Sequence, residues 1–319
     1  FNLSYLQLRQ GRFEEGWASL EARDGYRQLQ ALLPFPRWQG EALQGKHILI
    51  GIEAGHGDMI HFCRYASLLR DRGAARIGIL CHPALAPLLA THAALDVIAP
   101  IDAVLPDTGW DYWVPPMSLP FHCQTRLDSI PARLPYLHAL PQRIACWQSR
   151  IPQQGLRVGL VWRGNPRHEN DADRSLPSLA TFAALGEIAG VHFVSLQKGP
   201  GEEDALLTST GLPLVPLGHT IKDFADTAAI VAQLDLVISV DSAVAHLAGA
   251  LNTPCWIMLP AYKTDWRWLT ERCDSPWYPD SVRLYRQKQP GNWREMVNRI
   301  RDDLSCLAAL PARALPDRP

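Results

Sequence analysis

The chain has 319 residues, 47% apolar and 20% charged, with 31 Lys and Arg against 32 Asp and Glu and a formal net charge of −1. That length suits two domains of roughly 150 residues each, and evenly interspersed charge argues against the basic face that a nucleic-acid partner needs. No uninterrupted apolar run is long enough to span a bilayer, and the opening residues, which mix Asn2, Gln7 and Arg9 with apolar ones, do not read as a signal peptide.

The chain begins at Phe1 rather than Met, so an upstream segment is expected before it. Residues 1–23 predict a helix, a tight turn at Gly11 and a second helix, in which Phe13, Trp17 and Leu20 share one face. The stretch LRQGRFEEGWASLEAR is like the middle of a tetratricopeptide repeat. Two readings stay open: a repeat remnant, or an ordinary helical hairpin packed on the next domain. A Pro-bearing polar stretch then gives way to alternating strands and helices. HILIGI (47–52) reads as a strand, 59–72 as a helix stopped by Gly73, RIGILC as a strand, 83–93 as a helix, and LDVIAP and DYWVPP as two further strands.

Residues 151–155 read as a linker, after which a second series begins. RVGLVW (157–162) is a strand, 178–189 a helix, VHFVSLQ a strand, 202–209 a short helix and 223–234 a helix. LVISV follows as a strand, 243–251 as a helix and CWIML as a strand. A closing helix is expected over 292–307 and a disordered tail beyond it. Near-continuous apolar strands alternating with helices imply parallel sheets covered on both faces. The expected fold is therefore α/β, with two Rossmann-like domains (40–152 and 156–290) facing each other across a cleft, preceded by a helical segment (1–30) and followed by the closing helix (291–308). Ligands of such sheets bind beyond the carboxyl ends of the strands.

Four loops there carry candidate chemistry. In LDLVISVDSAVAHLAGALNTP, Ser242 suits the N-cap of a helix opening near Ala243, and His246 lies four residues on. Free N–H groups and the helix dipole make an anion site that fits a diphosphate. The plain alternative is a capped, buried helix with a core histidine. In HILIGIEAGHGDMIHF, Gly55 and Gly57 form a turn that misses the full dinucleotide fingerprint. Asp58 is either a helix cap or a base for an acceptor hydroxyl. In VWRGNPRHENDADRSLP, Arg163, Arg167, His168 and Arg174 are suited to phosphate oxygens. Asp171 and Asp173 imitate a D-x-D metal motif by chance, and the loop is either solvated or a lid. In DWRWLTERCDSPWYPD, Trp266, Trp268, Trp277 and Tyr278 either stack on a base or sugar or plug the space between domains. The seven cysteines are scattered and show no C-x-x-C pair, and they read as buried thiols in a reducing compartment.

GHGDMIH and VDSAVAHLAGAL together resemble the two signature segments of glycosyltransferase family nine, the lipopolysaccharide heptosyltransferases, in the same order and spacing from about His47 to the closing helix. The chain looks most like the group in which tetratricopeptide repeats precede the transferase-like domain. The resemblance implies a GT-B fold and inverting transfer from a nucleotide-diphosphate sugar without a required metal. It implies Asp58 as the base, and Asp241, Ser242 and His246 around the diphosphate with Ala243 where the family has glycine. Arg174 stands for a phosphate-contacting lysine, and Glu202 or Glu203 lies near the ribose or sugar. Arg163, Gln197 and Lys198 are taken with them as donor-site candidates. The implied partners are a nucleotide-sugar donor, a carbohydrate, lipid-linked or protein acceptor, and a protein bound through N-terminal repeats. The expected location is cytoplasmic. The alternatives are a catalytically inactive transferase-like domain of a repeat scaffold, or a sugar-nucleotide epimerase or hydrolase on the same fold.

Overall fold

A computed structural model describes residues 2–103, 109–207 and 211–310. Its ten strands are β1 (His47–Ile50), β2 (Arg76–Cys81), β3 (Val97–Pro100), β4 (Tyr112–Val114), β5 (Leu156–Val161), β6 (Val191–Ser195), β7 (Leu214–Pro216), β8 (Leu236–Val240), β9 (Cys255–Leu259) and β10 (Val282–Arg286). They form two sheets, ordered β3-β2-β1-β4 and β10-β9-β8-β5-β6-β7, and every pairing is parallel. The second order is the doubly wound arrangement, with its reversal of strand order between β5 and β8; the first reverses between β1 and β4.

The helices are α1 (Asn2–Arg9), α2 (Phe13–Leu20), α3 (Arg27–Leu32), α4 (His56–Phe62), α5 (Tyr65–Asp71), α6 (Ala86–Leu89), α7 (Leu119–His122), α8 (Pro141–Gln148), α9 (Asp171–Arg174), α10 (Phe224–Val231), α11 (Ala243–Ala250) and α12 (Trp293–Ala308). Side chains of β1 alternate between faces. Ile48 and Ile50 enter the main core, while Leu49 joins a smaller cluster with Leu33, Leu80 and Trp113. The main core is continuous, running from Leu8 and Trp17 in the hairpin through both sheets to Ile300 in α12. Gly11, at φ +77°, makes the turn between α1 and α2.

The expected helix over 59–72 begins earlier, at His56, and is interrupted. Arg64 Nε donates to the His61 carbonyl, and Ala66 N donates to the carbonyl of Cys63 three residues back, so the chain restarts as α5. Residues 83–93 give only a 3₁₀ turn (Pro83–Leu85) and α6, with Pro87 in its first turn. Residues 178–189 form a 3₁₀ stretch, Leu179–Glu187, in which Leu179, Phe182 and Leu185 recur every third residue and all face the core. The helix expected over 202–209 is 3₁₀ over Glu202–Leu206, and residues 208–209 lie outside the described residues, as does most of the expected tail, 311–319. All seven cysteines are free. Cys63, Cys81, Cys123 and Cys255 are buried, but Cys146, Cys273 and Cys306 are exposed, so the expectation of uniformly buried thiols is corrected. Among the described residues no helix is long and apolar enough to cross a membrane.

Candidate active site between the domains

Both reversals of strand order lie at the interdomain seam, and the two expected signature segments meet there. A Cβ added to Gly57 would stand 3.3 Å from the Cα of Ala243 and 3.0 Å from the His246 ring, so α4 and α11 touch at their first turns. Asp58 is the third residue of α4. Its Oδ2 accepts from Gly55 N at 2.9 Å, and its Oδ1 accepts from Arg267 Nη2 at 2.5 Å. The cap and the accessible carboxylate are therefore one residue, because the side chain stays 25% exposed while capping.

Arg267, which sequence reasoning did not single out, is only 4% exposed. Its Nη1 donates to both oxygens of Asp265, each at 3.1 Å, and the guanidinium lies 4.3 Å from the centre of the Trp266 ring. Burial opposes its charge, but Asp265 and Asp58 overcome this and hold the guanidinium protonated above its ordinary range. The available signal was Asp265, whose carboxylate caps the turn Trp266–Trp268 and so fixes the arginine two residues on. Tyr5 of α1 leans over this group. Burial and then the Asp265 charge push its hydroxyl up to about 12.

On the second-domain side Ser242 occupies the N-cap position with extended backbone, but its hydroxyl pairs with Ser239 Oγ at 2.9 Å and does not cap. Asp241 is buried beside it, and desolvation followed by the Asp265 charge pushes its carboxyl up to about 6. His246 lies inside the protein, not on a cleft wall. It stacks on Trp268 at 5.3 Å, and its Nδ1 is 2.9 Å from the Tyr278 hydroxyl. Burial first, and then Arg267, Arg64 and Arg174, hold its ring well below the ordinary histidine range.

The loop after β5 folds on itself. Gly164 N and Asp171 Oδ1 both bond Ser175 Oγ, and Arg174 Nε reaches Asp171 at 3.3 Å. Asp171 is thereby engaged by neighbours, while Arg167 and His168 are exposed. Arg174 contributes charge to both Asp241 and His246, so it lies close to the helix start. Arg163 turns away, donating to the Pro177 carbonyl at 2.6 Å. Gln197 is saturated: its Oε1 takes the N–H groups of Trp162 and Arg163, and its Nε2 donates to two carbonyls. Lys198 pairs with Glu202, and Glu202 also accepts from Gly199 N at 2.8 Å. Glu203 is exposed. The structure thus gathers Asp58, Asp241, Ser242, Ala243, His246 and Arg174 at the seam and leaves Arg163, Gln197, Lys198 and Glu202 engaged within the β5–β6 side of the second domain.

Trp266, Trp268, Trp277 and Tyr278 are fully buried and serve as the plug. Trp17 of the hairpin meets Trp266 at 5.1 Å edge-on and donates its indole N–H to the Thr125 carbonyl. Arg64 of the first domain donates to the Trp277 carbonyl at 2.6 Å and to the Tyr136 hydroxyl at 3.0 Å.

A family model described as glycosyltransferase family 9 (heptosyltransferase) matches residues 218–259, the segment that contains β8, α11 and β9. The structure of E. coli ADP-heptose LPS heptosyltransferase II superposes with a TM-score of 0.57 at 14% identity, covering 82% of this chain and 98% of that one. The fold is that of the heptosyltransferases. A glycosyltransferase family 9 structure from Veillonella parvula gives a TM-score of 0.56 at 10% identity, over 86% of this chain and 92% of the other. The E. coli heptosyltransferase WaaC with ADP-2-deoxy-2-fluoro heptose gives 0.52 at 13%, over 82% and 100%. In sequence, Protein FlbA of Caulobacter vibrioides is 29% identical over 97% of this chain; the chain spans about half, 55%, of that curated relative. The heptosyltransferase-like α/β fold, with two parallel sheets, accords with the architecture expected from strand–helix alternation. Residues 1–23 hold the two helices and the turn expected there, α1 and α2.

Proposed function

We propose that the chain is an inverting glycosyltransferase that moves a sugar from a nucleotide-diphosphate donor to an acceptor hydroxyl. The observation that carries this reading is the meeting of Asp58, an accessible carboxylate of the first domain, with the uncapped first turn of α11 in the second. The acceptor hydroxyl gives its proton to Asp58 and attacks the anomeric carbon, and the bond from that carbon to the diphosphate oxygen breaks. The leaving diphosphate takes N–H groups from the start of α11 and the charge of Arg174. Side-chain and helix-end charge does the work that a divalent cation would otherwise do, so no metal is required. The acceptor is a carbohydrate, a lipid-linked sugar or a protein hydroxyl, and the protein acts in the cytoplasm. The relation of WaaC to an ADP-linked sugar analogue makes adenosine diphosphate the first nucleotide to try.

The test is a panel of nucleoside diphosphates and nucleotide-sugars, read by thermal shift and then by sugar transfer. A ligand at 100 times its dissociation constant stabilises a fold by about 2.7 kcal/mol. No shift with any member at millimolar concentration would remove the donor site. Turnover that is lost with a chelator and restored by magnesium or manganese would overturn the metal-free route.

A further inference from the structure

We propose that Arg267 is the positioning residue of the reaction, clamping Asp58 from across the domain seam so that its carboxylate faces the acceptor only when the two domains are joined. The inference rests on the reading of Asp58 as the base. It starts from an imbalance of burial: Asp58 is 25% exposed, yet its partner is a guanidinium with a 4% exposed side chain, which comes from the other domain, 209 residues on.

A buried cation is held only where its geometry is satisfied on several sides. Both oxygens of Asp265 accept from Nη1 at 3.1 Å, the guanidinium carbon lies 4.3 and 5.2 Å from the centres of the Trp266 and Phe62 rings, and Asp58 accepts from Nη2 at 2.5 Å. Its Nε is buried without a hydrogen-bond partner. That vacancy distinguishes the arrangement from a saturated structural pair such as Arg157–Asp235, where Nε and Nη2 both reach the carboxylate. The fork is therefore oriented for Asp58 at the expense of one of its own donors.

The clamp fixes the carboxylate at both oxygens. Gly55 N holds Oδ2 and Arg267 holds Oδ1, and each oxygen keeps a lone pair free to accept a hydroxyl proton. Gly55 belongs to the same loop as Asp58, so that bond survives any domain movement. The Arg267 bond comes from the other domain, and so it ties the setting of the carboxylate to the packing of the seam. The charges of Asp265, Arg267 and Asp58 also act on the hydroxyl of Tyr5, which stays 37% exposed on α1.

The test uses the whole chain and five variants. Arg267→Lys keeps the charge and loses the fork, Arg267→Gln loses the charge, and Asp265→Asn loosens the clamp from behind at a partly exposed position. A misplacement of about 1 Å can cost roughly 100-fold in turnover. Both Arg267 variants should therefore lose about 100-fold in kcat per folded molecule, with the donor KM and nucleoside-diphosphate affinity within about threefold of wild type; Asp265→Asn should lose less. Added guanidinium ion should restore part of the turnover of an Arg267→Ala variant and none of that of Asp58→Asn. A merely structural arginine predicts loss of folded protein with normal kcat in what remains, and no rescue. Wild-type kcat in folded Arg267→Lys, or in Asp265→Asn should the arginine variants not fold, overturns the proposal. Absence of transfer by the wild-type chain itself, with any donor that binds, would instead overturn the reading of Asp58 on which it rests.

Discussion

Asp58 does two things that are usually done by separate residues, closing the first turn of α4 with one oxygen and presenting the other to the seam. Replacing it with Asn keeps the size and an oxygen able to accept from Gly55 N, and removes basicity. We expect Asp58→Asn to lower turnover by roughly 10²–10⁴-fold, to leave nucleotide affinity nearly unchanged, and to cost about 1–2 kcal/mol of stability through the weakened bond to Arg267. Steady-state kinetics, nucleotide titration and urea unfolding on this variant separate base from cap, because a cap alone predicts lower stability with full turnover. At this scale the sequence was legible where chemistry is local. A carboxylate after a Gly-rich turn, and a Ser before an apolar helix, could be read off directly. The roles of Arg267 and Gln197 were not legible, because each is defined by groups distant in the chain. Arg267 stood among tryptophans that drew the attention. Gln197 looked free until the N–H groups of Trp162 and Arg163, some 35 residues earlier, were brought to it.

At the scale of elements, the seam depends on how closely α4 and α11 approach. Gly249, inside α11, has no room: a Cβ there would lie 2.4 Å from the buried Tyr278 ring. Alanine gains about 1 kcal/mol in a helix over glycine, but overpacking costs typically 1–3 kcal/mol. Gly249→Ala should therefore be destabilised on balance, as urea unfolding would show. Gly57 is tight but not blocked, at 3.0–3.3 Å from His246 and Ala243. The helix gain there should roughly cancel the crowding, so Gly57→Ala should keep its melting temperature while weakening nucleotide binding by pushing the two first turns apart. Equal loss of both, or of neither, would mean that the approach does not shape the donor site. The interior strands were readable because parallel strands buried on both faces are apolar throughout. The elements that went unread are weaker signals. β7 is a three-residue edge strand ending in Pro216, β10 carries Arg283 and Arg286 among its five residues at the other edge, and α3 is six residues long with none of them buried.

One main core runs through the whole molecule, and its acid sensitivity follows from what is buried in it. His61 and His246 sit within the seam on either side of the Tyr278 hydroxyl, at 3.1 and 2.9 Å, and both are held well below the ordinary histidine range by burial and then by nearby arginines. The unfolded chain binds a proton at each near pH 6.5 and the folded chain does not, so their contribution is complete above that pH and is lost as pH falls. Asp241 has the opposite sign. Its carboxyl, raised to about 6, keeps its proton in the fold where the unfolded one has lost it, so its contribution is complete below about pH 4 and is lost as pH rises through 6. Between those limits two histidine protons outweigh one aspartate proton, and these seam groups should make stability rise by about 1.4 kcal/mol per pH unit. His92, pushed down to about 4 by burial, adds in the same direction. Unfolding free energies at pH 4.5, 5.0, 5.5 and 6.0 check the slope, which should steepen in Asp241→Asn; stability that falls with pH across this window would contradict the assignment.

The hairpin has a kinetic consequence. Trp17 is bonded to the first domain at Thr125 and wedged against Trp266 and Trp277 of the second, so wide separation of the halves would tear a buried indole from both. On the reading proposed above, the nucleotide enters instead past the segment of residues 164–175, which is tied chiefly to itself and, through Asn170, to the Lys263 carbonyl. Association should then depend on how often that short flap lifts. Shortening the flap would speed both arrival and departure, whereas a disulfide pinning it down would slow both, with affinity moving less than either rate.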